Sequence, residues 1–351
     1  MIHVAYDITS YAVAPHGGIA RVCYHTITQA DRSPGIQATG YYRSGNISGL
    51  KLEKTLLRRS GPLTRLIGPR FDIAHSLCHR TLGAKAHKNV YMVHDVWSLS
   101  PNSYQSAAFQ QKVGARQRDD ILKADFVITI SETTRKNLLA LNLIDPSKCR
   151  AVHLGYAHDS SPAQSPQNPA IAPLLAKKYV LYVGCLENRK NLPHVIDAVL
   201  PLKSVDLVLA GQPGFGYKDK IQPSLAKFPS DRLHHLDIVE TNDLNLLYQN
   251  AIATILPSWE EGFGLPILEA MANRCPVITS NRSANAEIAG DGAILVDPGS
   301  PDESRKAIER LIQDADYRAS TIDAGMARSK SFTWEKYYAR LVEIYKALMS
   351  S

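Results

Sequence analysis

Short apolar runs alternating with longer amphipathic segments set the strongest limit on how this chain folds. In the first half the runs are 2–8, 89–96, 125–131 and 150–155; in the second they are 179–185, 205–211, 251–257, 276–280 and 293–298. Many are apolar at consecutive positions, the pattern of strands covered on both faces. Helical stretches such as 103–124 and 301–313 lie between them. That order predicts βαβ units and one parallel sheet in each half, an α/β chain of two doubly wound domains facing each other across a cleft.

The division is written in composition. Within residues 159–173, Pro162, Pro166, Pro169 and Pro173 sit among Ser, Gln and Asn, with no apolar period. Proline removes donors and disfavours helix in the residue before it, so a linker is expected over 161–174. The expected domains are 1–160 and 175–331, each of ordinary size in a chain of 351 residues. The segment 332–350 reads as an amphipathic helix, expected to pack back across the first domain as part of 332–351.

Several classes fall away. Five scattered cysteines (Cys23, Cys78, Cys149, Cys185, Cys275) form no C-x-x-C pair, against a disulfide framework or a zinc knuckle. His75, His79, His234 and His235 make no metal-ligand spacing, and no metal site is expected. The start MIHVAYDITS reads as a strand and not a leader, and no apolar run approaches the ~20 residues of a membrane span. A cytoplasmic location is expected, at most peripheral at the inner face of the plasma membrane. The net charge of +7 suits phosphorylated ligands, anionic lipid or nucleic acid and selects none of them.

The richest segment is PSWEEGFGLPILEAM, 257–271. A strand ends near Leu256, and Glu260, Glu261, Gly262, Phe263 and Gly264 lead into a helix from Leu265, with Pro266 in its first turn. Glycines admit a close ligand, and free N–H groups at a helix start favour a diphosphate. Glu261 and Glu269, eight positions apart, bracket that site and can accept hydrogen bonds from sugar and ribose hydroxyls. In YVGCLENRKNL (182–192), Gly184 opens a loop that delivers Arg189 and Lys190 before a helix, a fork and a point charge for one diphosphate. His94 ends a strand in VHDVW, with Asp95 beside it as a loop-orienting or acceptor-side group. Gly17 and Gly18 open a helix after the first strand, and Arg21 reads equally as a phosphate contact or a solvated residue. Ser131 and Glu132 read as N-capping chemistry.

These segments, with PVITSNRSANAEIAGDGAILVDP, resemble glycosyltransferase family 4, retaining enzymes of GT-B architecture with two Rossmann-like domains. The resemblance covers most of residues 89–300, in the family's order, with the glycine loop at 17–18 as an outlier. It implies that Arg189 and Lys190 neutralise a leaving nucleoside diphosphate, and that His94 lies beside the donor sugar. It implies Glu261 on sugar hydroxyls, Glu269 on the ribose, and Gly184, Gly262, Phe263, Gly264 and Leu265 along the donor. Cys185 stands where many members carry a basic residue.

The resemblance implies metal-independent hexosyl transfer, with retention, from a nucleotide-sugar to a hydroxyl of a saccharide or lipid-linked saccharide. It points to bacterial polysaccharide mannosyltransferases using GDP-mannose, in cell-surface polysaccharide or lipopolysaccharide synthesis; UDP- and dTDP-sugars stay open. No cofactor is expected beyond the donor itself. The stretch 51–70 holds Lys51, Lys54, Arg58, Arg59, Arg65 and Arg70 against Glu53, with leucines interleaved. It reads either as a surface for anionic membrane or as a helix packed on its own domain. A basic membrane or nucleic-acid binding module without catalysis is the other class. It wants stacking aromatics among the charges, but 51–70 contains none, so no nucleic-acid partner is expected. A dehydrogenase would show G-x-G-x-x-G, and GQPGFG (211–216) has the wrong spacing.

Overall fold

A computed structural model describes every residue except 16, 62–67, 79–81, 101, 103, 157–164 and 351. The chain forms two compact units, one of 1–101, 107–155 and 332–351, the other of 102–106 and 156–331.

The first unit holds a parallel sheet of β1 (Ile2–Asp7), β2 (Ile36–Tyr42), β3 (Leu56–Arg59), β4 (Arg70–Ser76), β5 (Lys85–Val93), β6 (Phe126–Thr129) and β7 (Cys149–Ala151), in the order β3-β2-β1-β4-β5-β6-β7. Its helices include α1 (Thr9–Val13), α2 (Gly18–Arg32), α3 (Ala107–Lys123) and α4 (Glu132–Ala140). Ser131 caps α4, its hydroxyl accepting from the Thr134 amide at 3.0 Å.

The second unit is a parallel sheet of β8 (Tyr179–Val183), β9 (Asp206–Ala210), β10 (Leu233–His235), β11 (Ala253–Leu256), β12 (Val277–Ser280) and β13 (Ile294–Val296), ordered β10-β9-β8-β11-β12-β13. Every residue of β8, β9, β11 and β12 is buried, which is why these runs carry no polar alternation. Helices α5 (Leu192–Val199), α6 (Gln222–Leu225), α7 (Thr241–Asn250), α8 (Leu265–Ala272), α9 (Ser283–Ala289), α10 (Pro301–Gln313) and α11 (Ala315–Ser329) connect and cover the sheet.

The helix Trp334–Ser350, α12, belongs to the first unit. Trp334, Tyr337, Tyr338, Leu341, Ile344 and Tyr345 are buried along one face at helical spacing. Tyr337 Oη lies 2.9 Å from Thr26 Oγ1, Tyr338 Oη 3.0 Å from Tyr6 Oη, and the Trp334 ring stacks on His25 at 4.2 Å. Gly155 lets the chain approach: a Cβ there would stand 2.2 Å from the Trp334 amide nitrogen.

Two expectations change. Residues 56–59 are an edge strand, not part of a helix, because they pair in parallel with β2 while the carboxylate of Asp31 accepts the amides of Glu53, Lys54 and Thr55. Exposed Arg58 and Arg59 keep that edge from pairing further. Leu63, Arg65, Leu66 and Ile67 of the basic stretch lie outside the described residues, as does most of the segment 157–165. The expected linker is packed where it is described: Ile171 and Leu174 are buried, and Asp243 accepts the amides of Gln167 and Asn168 at 2.8 and 2.9 Å.

Candidate functional site

In a doubly wound sheet, ligands sit beyond the carboxyl ends of the strands where the strand order reverses. In the second unit that point lies between β8 and β11. The segments leaving those two strands are 184–190 and 257–264, and they contain Gly184, Arg189, Lys190, Glu261, Gly262, Phe263 and Gly264.

Backbone bonds lock these segments together. The Trp259 amide donates to the Arg189 carbonyl at 2.9 Å. Asn191, in the left-handed region at φ 57°, donates from Nδ2 to the carbonyls of Pro257 (3.2 Å) and Pro298 (2.8 Å). It follows a short 3-10 turn, Asn188–Lys190, that brings both basic side chains to one carboxylate.

That carboxylate is Glu261. Arg189 Nη1 lies 2.8 Å from Glu261 Oε2 and Lys190 Nζ 3.2 Å from Oε1; all three side chains are largely buried. Arg189 also pairs with Glu187 and donates to the Glu260 carbonyl. Ser258 Oγ donates to Glu261 Oε1 at 3.1 Å. Ser283 holds the Glu261 backbone from both sides, accepting from its N–H and donating to its carbonyl, each at 2.7 Å. Burial pushes the Glu261 carboxyl up, but Arg189 and Lys190 outweigh it and bring the group down to about 2. Glu261 is therefore ionised near neutral pH, and the basic pair is already partnered by acids.

Helix α8 starts just beyond, with Gly264 as its N-cap at φ 93°, a conformation glycine tolerates, and Pro266 in its first turn. Phe263 is buried beneath this turn, and Leu265 opens the helix. Glu269, inside α8, is 5% exposed and accepts from Tyr248 Oη at 3.1 Å. Cys185 is exposed after Gly184, with no basic side chain in its place.

In the first unit the order reverses between β1 and β4. Gly17 caps α2 and Gly18 opens it, after the β1 end, with Arg21 half-buried in the first turn; His16 lies outside the described residues. His94 follows β5, is 7% exposed, and its Nε2 lies 2.8 Å from the Leu77 carbonyl. A carbonyl only accepts, so Nε2 carries the hydrogen. The Asp95 carbonyl accepts from Gln117 Nε2 at 2.7 Å.

Sequence reasoning missed the supports. Glu187 was visible two residues before Arg189, but Ser283 and Tyr248 lie 22 and 21 residues from the acids they hold, without a local signal. Among the described residues no group of three His, Cys, Asp or Glu is placed to hold a metal ion.

The chain is similar to known proteins in sequence and in fold. Residues 166–328 match the family model for glycosyl transferases group 1. The chain is 28% identical over 295 residues to O-antigen chain mannosyltransferase B of Escherichia coli, covering 80% of this chain and 74% of that protein. In fold it is similar to the sucrose-phosphate synthase of Thermosynechococcus elongatus (TM-score 0.77, 18% identity, all of both chains). It is likewise similar to Anabaena HepE in complex with UDP and glucose (TM-score 0.75, 18% identity, 99% of this chain and 100% of that one). Two parallel-sheet, Rossmann-like units with these neighbours are the GT-B fold. Residues 166–328 thus match the model for glycosyl transferases group 1, and the chain has the GT-B fold.

Proposed function

We propose that the protein transfers a hexosyl group, with retention, from a nucleotide-sugar to a hydroxyl of a saccharide or lipid-linked saccharide. The reading rests above all on Arg189 and Lys190 converging on Glu261 at the β8–β11 switch point. A donor diphosphate takes over the two cations and the N–H groups at the α8 start. Glu261, released from the pair, accepts from sugar hydroxyls, and Glu269 accepts from the ribose. Preorganised positive charge at the leaving diphosphate is the main source of rate, and the departing phosphate takes the acceptor proton on the same face. On this reading His94 lies beside the donor sugar and no metal is needed.

GDP-mannose is the proposed donor, supported by the likeness to O-antigen chain mannosyltransferase B. HepE, solved with UDP and glucose, makes a UDP-sugar the second reading. The setting is synthesis of a bacterial surface polysaccharide at the inner membrane face. No described helix is long and apolar enough to cross a membrane. Contact is proposed through the basic residues of 51–70, of which Lys51, Lys54, Arg58, Arg59 and Arg70 are exposed.

A thermal-shift screen with GDP, UDP, dTDP and ADP, without added metal, tests the donor. A ligand that binds only the native state raises the midpoint by RT ln(1 + [L]/Kd). A shift with GDP that disappears in Lys190→Ala and Glu269→Ala supports the assignment. A shift confined to UDP moves it to a UDP-sugar, and no shift with any nucleotide overturns it.

A further inference from the structure

The C-terminal helix does more than cover the first sheet. Tyr6, His75 and Val90 stand side by side on β1, β4 and β5, so their side chains share one face of the sheet. α12 meets that face with two hydroxyls. Tyr338 Oη lies 3.0 Å from Tyr6 Oη, and Tyr345 Oη lies 2.6 Å from His75 Nδ1. Tyr6, His75 and Tyr345 are fully buried. His75 Nε2 is buried without a hydrogen-bond partner, so among the described residues Tyr345 is the ring's one hydrogen-bonding anchor.

His75 sits two residues before Leu77, the residue whose carbonyl holds His94 Nε2 at 2.8 Å. Ser76, between them, is also fixed, its Oγ accepting from the Leu82 amide at 2.7 Å. The anchored ring and the carbonyl that holds His94 Nε2 thus lie two residues apart on one short run of backbone.

We propose that Tyr345 and His75 are positioning residues for His94, through which α12 sets the orientation of that imidazole at the end of β5. The proposal rests on the glycosyl-transfer reading for its consequence in rate, and on geometry alone for the orientation. A group displaced by an ångström from its working place costs on the order of a hundredfold in rate. Loss of one anchor of a buried ring is expected to cost about tenfold.

Tyr345→Phe keeps the ring that packs α12 and removes only the hydroxyl. Tyr337→Phe is the matched control, since it removes a buried hydroxyl of the same helix that meets Thr26, whereas Tyr338 meets Tyr6, which in turn bonds Tyr345. Histidine ring ¹⁵N–¹H spectra of the whole chain give the first readout. The Nε2–H signal of His94 is expected to shift in Tyr345→Phe and to stay in place in Tyr337→Phe. An unmoved signal in Tyr345→Phe, or equal movement in both, overturns the proposal.

The second readout is transfer. Tyr345→Phe is expected to lower kcat about tenfold with donor KM unchanged, and to have no added effect in a His94→Ala background. An undiminished effect in that background overturns it. If the wild-type chain transfers no sugar from any donor, the functional reading fails, while the spectra still decide the positioning.

Discussion

Lys190 rests on Gly184: a Cβ at Gly184 would stand 2.9 Å from the Lys190 ammonium nitrogen. The glycine, at φ 134°, follows the β8 strand and clears the space in which the lysine folds back toward Glu261. Gly184→Ala therefore strains the backbone and displaces the cation at once. We expect a loss of about 1–3 kcal/mol in stability and a smaller nucleotide-induced rise in Tm. A variant with full nucleotide stabilisation would show that the Lys190 placement is dispensable.

Glu261 gives a pH signature. Its carboxyl stands at about 2 in the folded chain, below the ordinary value of 4.5. A depressed carboxylate stabilises fully above the unfolded value, and that stability drains away as pH falls toward 2. The difference corresponds to about 3 kcal/mol near neutrality. Chemical denaturation from pH 6 to pH 3 should show a steeper loss for the wild type than for Glu261→Gln. Parallel curves would refute the ion-pair assignment.

His25 works in the first unit. Burial, with Arg21 close by, brings its imidazole down to about 4, so it stays neutral where an unfolded histidine gains a proton. The stability is complete above pH ~6.5 and is lost as pH falls through 4. His25→Phe, which keeps a ring against Trp334, should flatten the fall of Tm between pH 7 and 5. An unchanged slope would remove His25 from the account.

Tyr248 donates its phenolic hydrogen to the buried Glu269 carboxylate. Tyr248→Phe takes that donor away at a cost of about 1–3 kcal/mol. Under the proposed ribose role, the nucleotide shift should shrink in this variant. Calorimetric titration with GDP measures it, and an unaltered Kd would separate Tyr248 from ligand binding.

The fold was legible wherever burial on both faces wrote an unbroken apolar run, as in β8, β9, β11 and β12. It was illegible where a tertiary partner supplies what the local sequence lacks. β4, RFDIAHS, mixes charge with apolar residues because Asp72 accepts the His3 amide and His75 meets Tyr345 across 270 positions. β2 interrupts its apolar residues with Gln37, Thr39 and Gly40, β10 has three residues, and 56–59 becomes a strand only beside β2. The site divides the same way. Arg189, Lys190 and Glu261 announce themselves within short motifs, whereas Ser283 and Tyr248 are found only once the chain has folded.

The return of α12 to the first unit has a consequence for biosynthesis. Tyr6 and His75 emerge from the ribosome early, yet their partners Tyr338 and Tyr345 follow the whole of 156–331. The usual N-terminal-first order is thereby reversed. Every strand and helix of the second unit is made before α12, and until α12 emerges the first sheet keeps an uncovered face. Until α12 has left the ribosome the nascent chain stays in that state, the interval in which a holding chaperone has most to cover.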